Sequence, residues 1–314
     1  MSLRIAVQMD PLESVNPAGD TTFMMIEEAQ LRGHAVSVYG VGDLAYDSGV
    51  VSARVRPAKV FPGQTPHATF EVSKLIDLRR DADVVLMRQD PPFHMGYITA
   101  AHLLELVTPD TLVVNDPAGV RSSPEKVLTL MFPDLQPPTL ITRDVARVRE
   151  FRERHGDVVL KPLHGHGGAG VLKVSHDDGN LEAIVDLFNK MVPEPFIAQA
   201  FLPAVTEGDK RILIVDGEPV GAINRKPPIG AIRSNLVVGG TAEATELSPR
   251  EREICTRIGP ELKRRGLIFV GIDVIGGMMT EINVTSPTGA RALKRLGGVD
   301  AVAKMWDVIE RRVR

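Results

Sequence analysis

Cysteine is almost missing from this chain of 314 residues, in which Cys255 is the single example. One cysteine excludes an intrachain disulfide and any zinc site built from several thiolates. Cys255 lies in a helical pattern that runs from Arg252 to Leu262, where we expect it to be a small buried apolar residue. We therefore do not expect it to act as a nucleophile.

An excess of charge and a long apolar run are missing as well. The net charge is −3, from 37 Lys and Arg against 40 Asp and Glu, and no basic stripe indicates general nucleic-acid binding. No apolar run approaches the length that spans a membrane. The N-terminus, MSLRIAVQMD, enters a strand pattern without a signal or transit peptide. We therefore expect a cytoplasmic protein that binds neither nucleic acid nor membrane.

The chain is longer than a single hydrophobic core usually supports, so two or three domains are expected. It opens with a strand at residues 3–9, a helix capped by Asp20 and a second strand at residues 34–39. This β–α–β order predicts a parallel sheet. We place one domain boundary near residue 122 and a second near residue 200.

Arg88 follows a buried strand at residues 83–87. Parallel sheets bind ligands at the carboxyl ends of their strands, which makes Arg88 a candidate contact for an anion. An ion pair between Arg88 and Asp90 explains the pattern equally well.

Residues 122–126, SSPEK, match the start of a helix. Ser122 and Glu125 have the spacing of a capping box, which is typical of a first turn. Lys126 would then stand where the helix dipole disfavours a cation unless an anion is bound nearby. A solvated surface lysine is the commoner explanation. The proline-rich segment 132–142 is typical of a linker.

A glycine-rich string, GHGGAG at residues 165–170, matches the dinucleotide-binding pattern G-x-G-x-x-G. That pattern requires a helix after the loop, whereas a strand pattern follows here. The string is therefore interpreted as a flap between two strands, whose amides can close over phosphates while Lys161 reaches in from the preceding strand. A glycine-rich turn alone would explain one or two of the four glycines.

Three further segments carry candidate ligand contacts. Residues 196–202, FIAQAFL, form an apolar strand pattern suited to flank a planar base. Arg211 and Arg225 are predicted on neighbouring strands, where two guanidiniums suit a carboxylate or a phosphate. The loop at residues 226–241, rich in Pro and Gly, contains Arg233 and is typical of an active-site lid.

Near the C-terminus, a hairpin that turns at Gly276-Gly277 would place Asp273 opposite Glu281, with Asn283 on the same face as Glu281. Opposed like charges destabilise a strand pair, so a cation is expected between them. Carboxylate and amide oxygens suit Mg²⁺. A hairpin whose carboxylates face water is an equally good explanation.

Together these segments resemble the ATP-grasp ligases and, more narrowly, the bacterial glutathione synthetases. A lysine before a glycine flap and a Glu-x-Asn motif occur in ATP-grasp enzymes generally, whereas the full combination is much more specific. The resemblance covers essentially the whole chain. The matching strings are MRQDPPF (87–93), EK (125–126), LKPL (160–163), DKR (209–211), VDGEPV (215–220), GLIFVG (266–271) and TEINVTSPT (280–288).

The resemblance implies an α/β fold of the grasp type. An N-terminal parallel-sheet pre-ATP-grasp domain at residues 1–122 would precede a two-lobed ATP-grasp domain at residues 123–314, with lobes at about 123–200 and 201–314. It implies an ATP-dependent ligase that joins γ-glutamylcysteine to glycine through an acyl phosphate. Mg²⁺ or Mn²⁺ and a homotetramer are implied in the same way.

The resemblance also implies roles for individual residues. The expected ATP contacts are Lys126, Lys161, Gly165, Gly167, Gly168, Gln199, Ala200, Phe201, Leu202 and Asp209. The expected metal ligands are Asp273, Glu281 and Asn283. The expected dipeptide contacts are Arg88, Arg211, Arg225, Ser286 and Thr288. Catalysis is assigned to Arg211 and to Arg233 of the lid.

Two departures from the family pattern affect the flap and the lid. His164 stands where an acidic residue is expected, and the lid sequence KPPIGAIRSN lacks the usual glycine-rich start. Two other functions stay open. One is a sister ligase of the D-alanine–D-alanine or glutamate-adding type. The other is a synapsin-like regulatory protein that binds ATP without turnover. That function predicts a broken metal set or a missing lid arginine, whereas this sequence has both the complete metal set and the lid arginine.

Overall fold

The computed structural model describes residues 2–228 and 240–313 and begins with an eight-stranded sheet. Its strands are β1 (Arg4–Gln8), β2 (Ala35–Tyr39), β3 (Leu44–Asp47), β4 (Val50–Val60), β5 (Ala68–Phe70), β6 (Lys74–Asp77), β7 (Val84–Met87) and β8 (Leu112–Val114). The helices of this part are α1 (Thr21–Leu31), α2 (Leu78–Asp81), α3 (Met95–Glu105) and α4 (Pro117–Arg121). Strands β2, β1, β7 and β8 are parallel neighbours, and β4 joins β2 in the antiparallel direction.

The predicted β–α–β opening is confirmed, and local chemistry accounts for it. The Asp20 carboxylate accepts a hydrogen bond from Phe23 N at 2.5 Å and so caps α1. Gly33, with φ of 78°, follows the end of the helix in the left-handed conformation that glycine adopts most easily. The chain then enters β2 beside β1, which brings the carboxyl ends of the parallel strands to one edge of the sheet.

A second sheet of four antiparallel strands follows, in the order β11-β10-β12-β9. Its elements are β9 (Thr139–Thr142), α5 (Val145–His155), β10 (Val158–Pro162), β11 (Leu172–Val174), α6 (Leu181–Met191) and β12 (Phe196–Ala200). This sheet has its own core, which includes Phe151, Leu160 and Phe196. The prediction of a linker at residues 132–142 is wrong at its C-terminal end, because pairing with β12 makes residues 139–142 a strand.

The third sheet has five antiparallel strands in the order β15-β14-β13-β16-β17. Its elements are β13 (Asp209–Val215), β14 (Glu218–Lys226), β15 (Thr241–Thr245), α7 (Pro249–Arg264), β16 (Phe269–Ile275), β17 (Met278–Asn283), α8 (Ala290–Arg295) and α9 (Ala301–Val313). The predicted turn at Gly276-Gly277 is confirmed, with φ values of 56° and 75° that suit a tight hairpin. Cys255 is buried in α7, as predicted.

Helices α8 and α9 carry the chain back to the N-terminal sheet. Trp306 is fully buried, and its Nε1 donates to Met25 O at 3.0 Å. Arg32 at the end of α1 forms an ion pair with Asp307 of α9 at 2.8 Å. The N-terminal and third sheets therefore contribute residues to the same two hydrophobic cores, whereas the second sheet packs around a separate one.

The predicted helix start at residues 122–126 is wrong. Helix α4 ends at Arg121, and Ser122 Oγ donates backwards to Ala118 O at 2.8 Å. A turn at residues 124–127 follows and leads into a short 3₁₀ helix at Leu128–Met131. The boundaries near residues 122 and 200 stay predictions. None of the helices within the described ranges has the length and apolar character that crossing a bilayer requires.

Candidate active site

A cavity of about 520 Å³ lies where the second and third sheets meet the carboxyl edge of the N-terminal sheet. Most of the predicted site residues line it. They are Lys126, Lys161, Gly165, Gly167, Gly168, Gln199, Ala200, Phe201, Leu202, Asp209, Arg211, Arg225, Asp273, Glu281, Asn283, Ser286 and Thr288. Arg88 lies buried beside the cavity without lining it, and Arg233 lies outside the described residues.

One end of the cavity is apolar and is bordered by residues 199–202 at the end of β12. Val159, Val171 and Ile275 are further apolar residues that line the cavity. The chain leaving β12 is fixed by Phe201 N, which donates to Asp157 O at 2.9 Å. An apolar slot beside exposed backbone groups can hold a planar heterocycle and recognise its edge.

The flap at residues 165–170 connects the antiparallel strands β10 and β11, so the predicted strand–loop–strand context is confirmed. Gly170 has φ of 69°, and a Cβ there would lie 2.8 Å from Pro162 Cγ, which excludes other residues without a shift of the flap. His164 packs against Phe93 of the N-terminal domain with ring centroids 5.9 Å apart. Burial lowers the pKa of His164, which favours the neutral ring in this contact.

Two lysines point their charges at the middle of the cavity. Lys126 Nζ donates to Glu281 Oε1 at 2.7 Å and to Gly165 O in the flap. Burial alone would lower the pKa of Lys126, but Glu281 outweighs it and raises that pKa. For Lys161, burial prevails over Glu281 and lowers the pKa to about 8. No carboxylate of the described residues lies within 4.0 Å of Lys161 Nζ, so this ammonium is available to bind an anion from outside the protein.

The predicted placement of Arg211 and Arg225 on the neighbouring strands β13 and β14 is confirmed. Arg211 binds Asp273 through two hydrogen bonds, from Nε at 2.5 Å and from Nη2 at 3.0 Å. Arg225 Nη2 bridges Asp209 at 2.6 Å and Asp273 at 2.9 Å. Burial would raise the pKa of Asp273, but the two guanidiniums hold it well below its usual range. The set is a buried network of alternating charge.

Asp273 and Glu281 are cross-strand partners in the β16–β17 pair, as predicted. Separate cationic side chains offset their mutual repulsion, since the arginines bind Asp273 and Lys126 binds Glu281. Glu281 Oε2 and Asn283 Oδ1 have no hydrogen-bond partner within the described ranges, and both residues line the cavity. These two oxygens suit a hard divalent cation, whereas Asp273 has both oxygens engaged by arginine.

A protein-only metal site is not present in the part of the chain that the structure describes. No three His, Cys, Asp or Glu side chains there are grouped as they would be around a metal ion. The residues therefore fit a cation such as Mg²⁺ that takes one or two protein oxygens and completes its shell from substrate phosphates.

The loop after β17 is held at several points. Ser286 Oγ donates to Gln89 O at 2.8 Å. The buried Arg88 donates to Pro287 O at 3.2 Å and to Thr22 Oγ1 at 3.0 Å, and it forms no ion pair with Asp90 within 4.0 Å. Arg88 thus carries a buried charge beside the loop.

Glu125 is absent from the predicted site, yet it lines the cavity. Its spacing from Ser122 has a complete local explanation as a capping box, and nothing in the sequence points to residues far along the chain. Burial, and then the neighbouring Glu281, raise the pKa of Glu125. Its position can be seen only in the folded chain.

Comparison with protein families gives matches over nearly the whole chain. The model of the prokaryotic glutathione synthetase N-terminal domain matches residues 3–121, and that of the prokaryotic glutathione synthetase ATP-grasp domain matches residues 125–298. The chain is 54% identical to the glutathione synthetase of Rhodopseudomonas palustris, covering 99% of each chain. It is also 54% identical to that of Brucella melitensis, covering 99% of this chain and 100% of that one.

Solved structures give the same fold at much lower identity. A D-cycloserine synthetase superposes with a TM-score of 0.71 at 16% identity, covering 99% of this chain and 100% of that chain. D-alanyl-alanine synthetase A from Vibrio cholerae superposes with a TM-score of 0.62 at 11% identity, covering 99% of this chain and 98% of that chain. At such identities the likeness shows the fold alone, which together with the two family models confirms the predicted fold class of an N-terminal domain followed by an ATP-grasp domain.

Proposed function

Because this chain belongs to the prokaryotic glutathione synthetase family, ATP-dependent ligases that join γ-glutamylcysteine to glycine, we propose that the cavity between its three sheets is where that ligation takes place. The observation that carries the proposal is the convergence of two lysines, a glycine flap and the β16–β17 hairpin on one cavity. This combination suits a triphosphate bound beside a carboxylate substrate. The high identity to glutathione synthetases favours this activity over that of the D-alanine ligases, which share only the fold.

The reaction needs no nucleophile from the protein. The C-terminal carboxylate of γ-glutamylcysteine takes the γ-phosphoryl group of ATP, which gives an acyl phosphate and ADP. The amine of glycine then attacks the acyl carbon, and phosphate leaves from the tetrahedral intermediate. The protein contributes orientation, neutralisation of charge and exclusion of water from the acyl phosphate.

ATP is proposed to lie with its base against residues 199–202 and its ribose near Asp209. Lys126, Lys161 and the amides of Gly165, Gly167 and Gly168 would hold the phosphates. Lys126 exchanges its present contact with Glu281 for phosphate contacts in this arrangement, which frees Glu281 Oε1.

The family uses ATP with a divalent cation, and we propose Mg²⁺, with Mn²⁺ as a substitute. Glu281 and Asn283 would hold it, with Asp273 sharing an oxygen that now binds arginine. When bound, the cation neutralises charge on the phosphates during transfer.

For the dipeptide, we propose contacts with Arg211, Arg225, Ser286 and Thr288, which line the cavity, and with Arg88, which is buried beside it against the loop after β17. Arg211 would also stabilise the acyl phosphate. Arg233, in the predicted lid at residues 226–241, would close over the intermediate. We further propose a cytoplasmic location and, from the family resemblance, a homotetramer. Light scattering of the purified protein tests the homotetramer.

An assay with each substrate in turn tests the activity. Enzyme with Mg²⁺, ATP, γ-glutamylcysteine and glycine is expected to release ADP, phosphate and tripeptide in equal amounts. Glycine is then replaced by D-alanine or glutamate, and γ-glutamylcysteine by D-alanine, as matched controls. ADP released without tripeptide, or faster ligation with a replacement substrate, would contradict the assigned reaction.

Affinity for nucleotide should decrease as the pH rises through 8. The Lys161 ammonium has a pKa of about 8, so the empty protein loses this charge above that pH. Bound phosphates favour the charged form, so binding above pH 8 must take up a proton and weakens by up to about tenfold per pH unit. Calorimetry with a non-hydrolysable ATP analogue is expected to give a Kd about tenfold higher at pH 9 than at pH 7.

The control for this titration is Lys161→Arg, because a guanidinium keeps its charge throughout this range. Its Kd should vary much less between pH 7 and pH 9. Proton uptake, measured by repeating the titration in buffers of different ionisation enthalpy, should appear with the native chain alone. Equal affinity of the native chain at the two pH values would contradict the coupling of phosphate binding to the protonation of Lys161.

A further inference from the structure

Glu125 occupies a place in the cavity that no local motif explains. It lies in the turn at residues 124–127, directly before Lys126. Since residues 122–126 form no helix, its carboxylate caps nothing in its own segment. Its side chain instead accepts hydrogen bonds from Val284 and Thr285, which lie 159 and 160 positions further along the chain.

A single oxygen of this carboxylate accepts three hydrogen bonds from the chain that leaves β17. Glu125 Oε1 accepts from Val284 N at 3.0 Å, from Thr285 N at 3.2 Å and from Thr285 Oγ1 at 2.9 Å. The backbone oxygen of Glu125 also accepts from Ile282 N at 3.0 Å. Strand β17 ends at Asn283, so the next two amides have no strand partner. Glu125 supplies their acceptor and fixes the direction in which the chain leaves the sheet.

These contacts fall between two groups of proposed ligand contacts. Glu281 lies three residues and Asn283 one residue before the first fixed amide, and Ser286 directly follows the second. Lys126 holds Glu281 from the same turn, through the hydrogen bond from Nζ to Oε1 at 2.7 Å. Glu125 therefore holds the chain directly after Asn283, whether Lys126 contacts Glu281 or, as proposed above, the phosphates of ATP.

We propose that Glu125 is a positioning residue for the ligation, which sets the spacing between the metal end and the dipeptide end of the active site. This proposal rests on the roles proposed above for Glu281 and Ser286. Phosphoryl transfer between two bound substrates requires the attacking oxygen in line with the γ-phosphorus, and a misplacement of 1 Å can cost about a hundredfold in rate. The backbone at residues 284–285 controls that spacing, and Glu125 controls the backbone.

The test compares Glu125→Gln with Glu125→Ala. Glutamine keeps an acceptor oxygen at the same reach, so its kcat should stay within about fivefold of the native value, because the hydrogen bonds weaken but persist. Alanine removes the acceptor, so kcat should fall about a hundredfold and the KM for γ-glutamylcysteine should rise about tenfold. The Kd for ADP should stay within about threefold in both variants, because the proposed base and ribose contacts, and Lys161 and the flap amides on the phosphates, lie on other segments.

Asp83→Ala is the matched structural control. Asp83 also accepts from a backbone amide, Arg4 N at 2.7 Å, but it lies at the opposite end of β7 from Arg88. This variant should lose stability without a change in kcat or KM. If Glu125→Ala behaves in the same way, the role of Glu125 is only structural and the proposal is overturned. A glutamine variant as damaged as the alanine variant would overturn it too, because the charge would then matter rather than the acceptor.

Thr285→Val tests the positioning role if Glu125→Ala does not fold. It removes one of the three groups that donate to Glu125 Oε1 and keeps the shape of the side chain. A fall in kcat of about threefold or more with unchanged ADP affinity supports positioning, and native kinetics contradict it. If the underlying site assignment is wrong, Glu281→Ala will turn over normally. If only the positioning proposal is wrong, Glu281→Ala will be inactive and Glu125→Ala active.

Discussion

Glu281→Ala is expected to lower kcat by about 10²–10³-fold while the chain keeps its fold. The substitution removes the carboxylate that pairs with Lys126 at 2.7 Å and that is proposed to hold the divalent cation. The cation would then lose a protein ligand, and the negative charge on the transferring phosphoryl group would be less well neutralised. Kinetics at saturating substrates measure the fall, and circular dichroism checks the fold.

Two controls separate this loss from a general effect of removing a charge. Glu281→Gln keeps the size of the side chain but not its charge, and should be almost as inactive. Glu218→Ala removes a carboxylate from another Lys–Glu pair, with Lys263 at 3.0 Å, in which the Glu218 side chain is 74% exposed. That variant should have native kinetics. A Glu281→Ala enzyme with kcat near the native value would exclude Glu281 as a metal ligand.

Arg225→Met is expected to be strongly destabilising. The Arg225 side chain is 6% exposed and lies between Asp209 and Asp273, whose side chains are 10% and 7% exposed. Without the guanidinium, Asp209 and Asp273 lose the cation that bridges them, and breaking such a buried pair costs about 3–5 kcal/mol of the free energy of unfolding. Urea denaturation of the two proteins measures the difference.

Arg257→Met is the matched control on the surface. Arg257 also forms an ion pair with an aspartate, Asp134, but the two side chains are 42% and 57% exposed. Solvent screens such a pair, so its removal should cost at most about 1 kcal/mol. Arg225→Lys should recover part of the stability because it restores a positive charge. Similar losses for Arg225→Met and Arg257→Met would show that the buried network contributes no more than a surface pair.

Features with a local physical cause could be predicted from the sequence. Gly276 and Gly277 permit the positive φ values of a tight turn, and alternating side chains then determine that Asp273 faces Glu281. The sequence distinguishes the flap from a dinucleotide-binding loop because a strand, and not a helix, follows Gly170. In each case neighbouring residues supply the whole explanation.

Two incorrect predictions share one physical cause. Ser122 and Glu125 satisfy the spacing of a helix cap, yet no helix forms at residues 122–126 because Glu125 binds the amides of Val284 and Thr285 instead. Residues 139–142 follow a run of prolines, yet they form β9 because β12 offers an edge to pair with. Hydrogen bonds to distant partners prevailed over local preference at both places.

The sequence by itself determined the family, the order of the strands and helices in most of the chain, and most of the residues that line the cavity, although not Glu125. Only the tertiary structure decided how the charges there are paired. Arg211 and Arg225 neutralise Asp273, Lys126 neutralises Glu281, and Lys161 is left for an anion. Residue type fixes the sign of each charge, but its partner and its pKa depend on distance and burial. These are set when three sheets, distant in sequence, pack around one cavity.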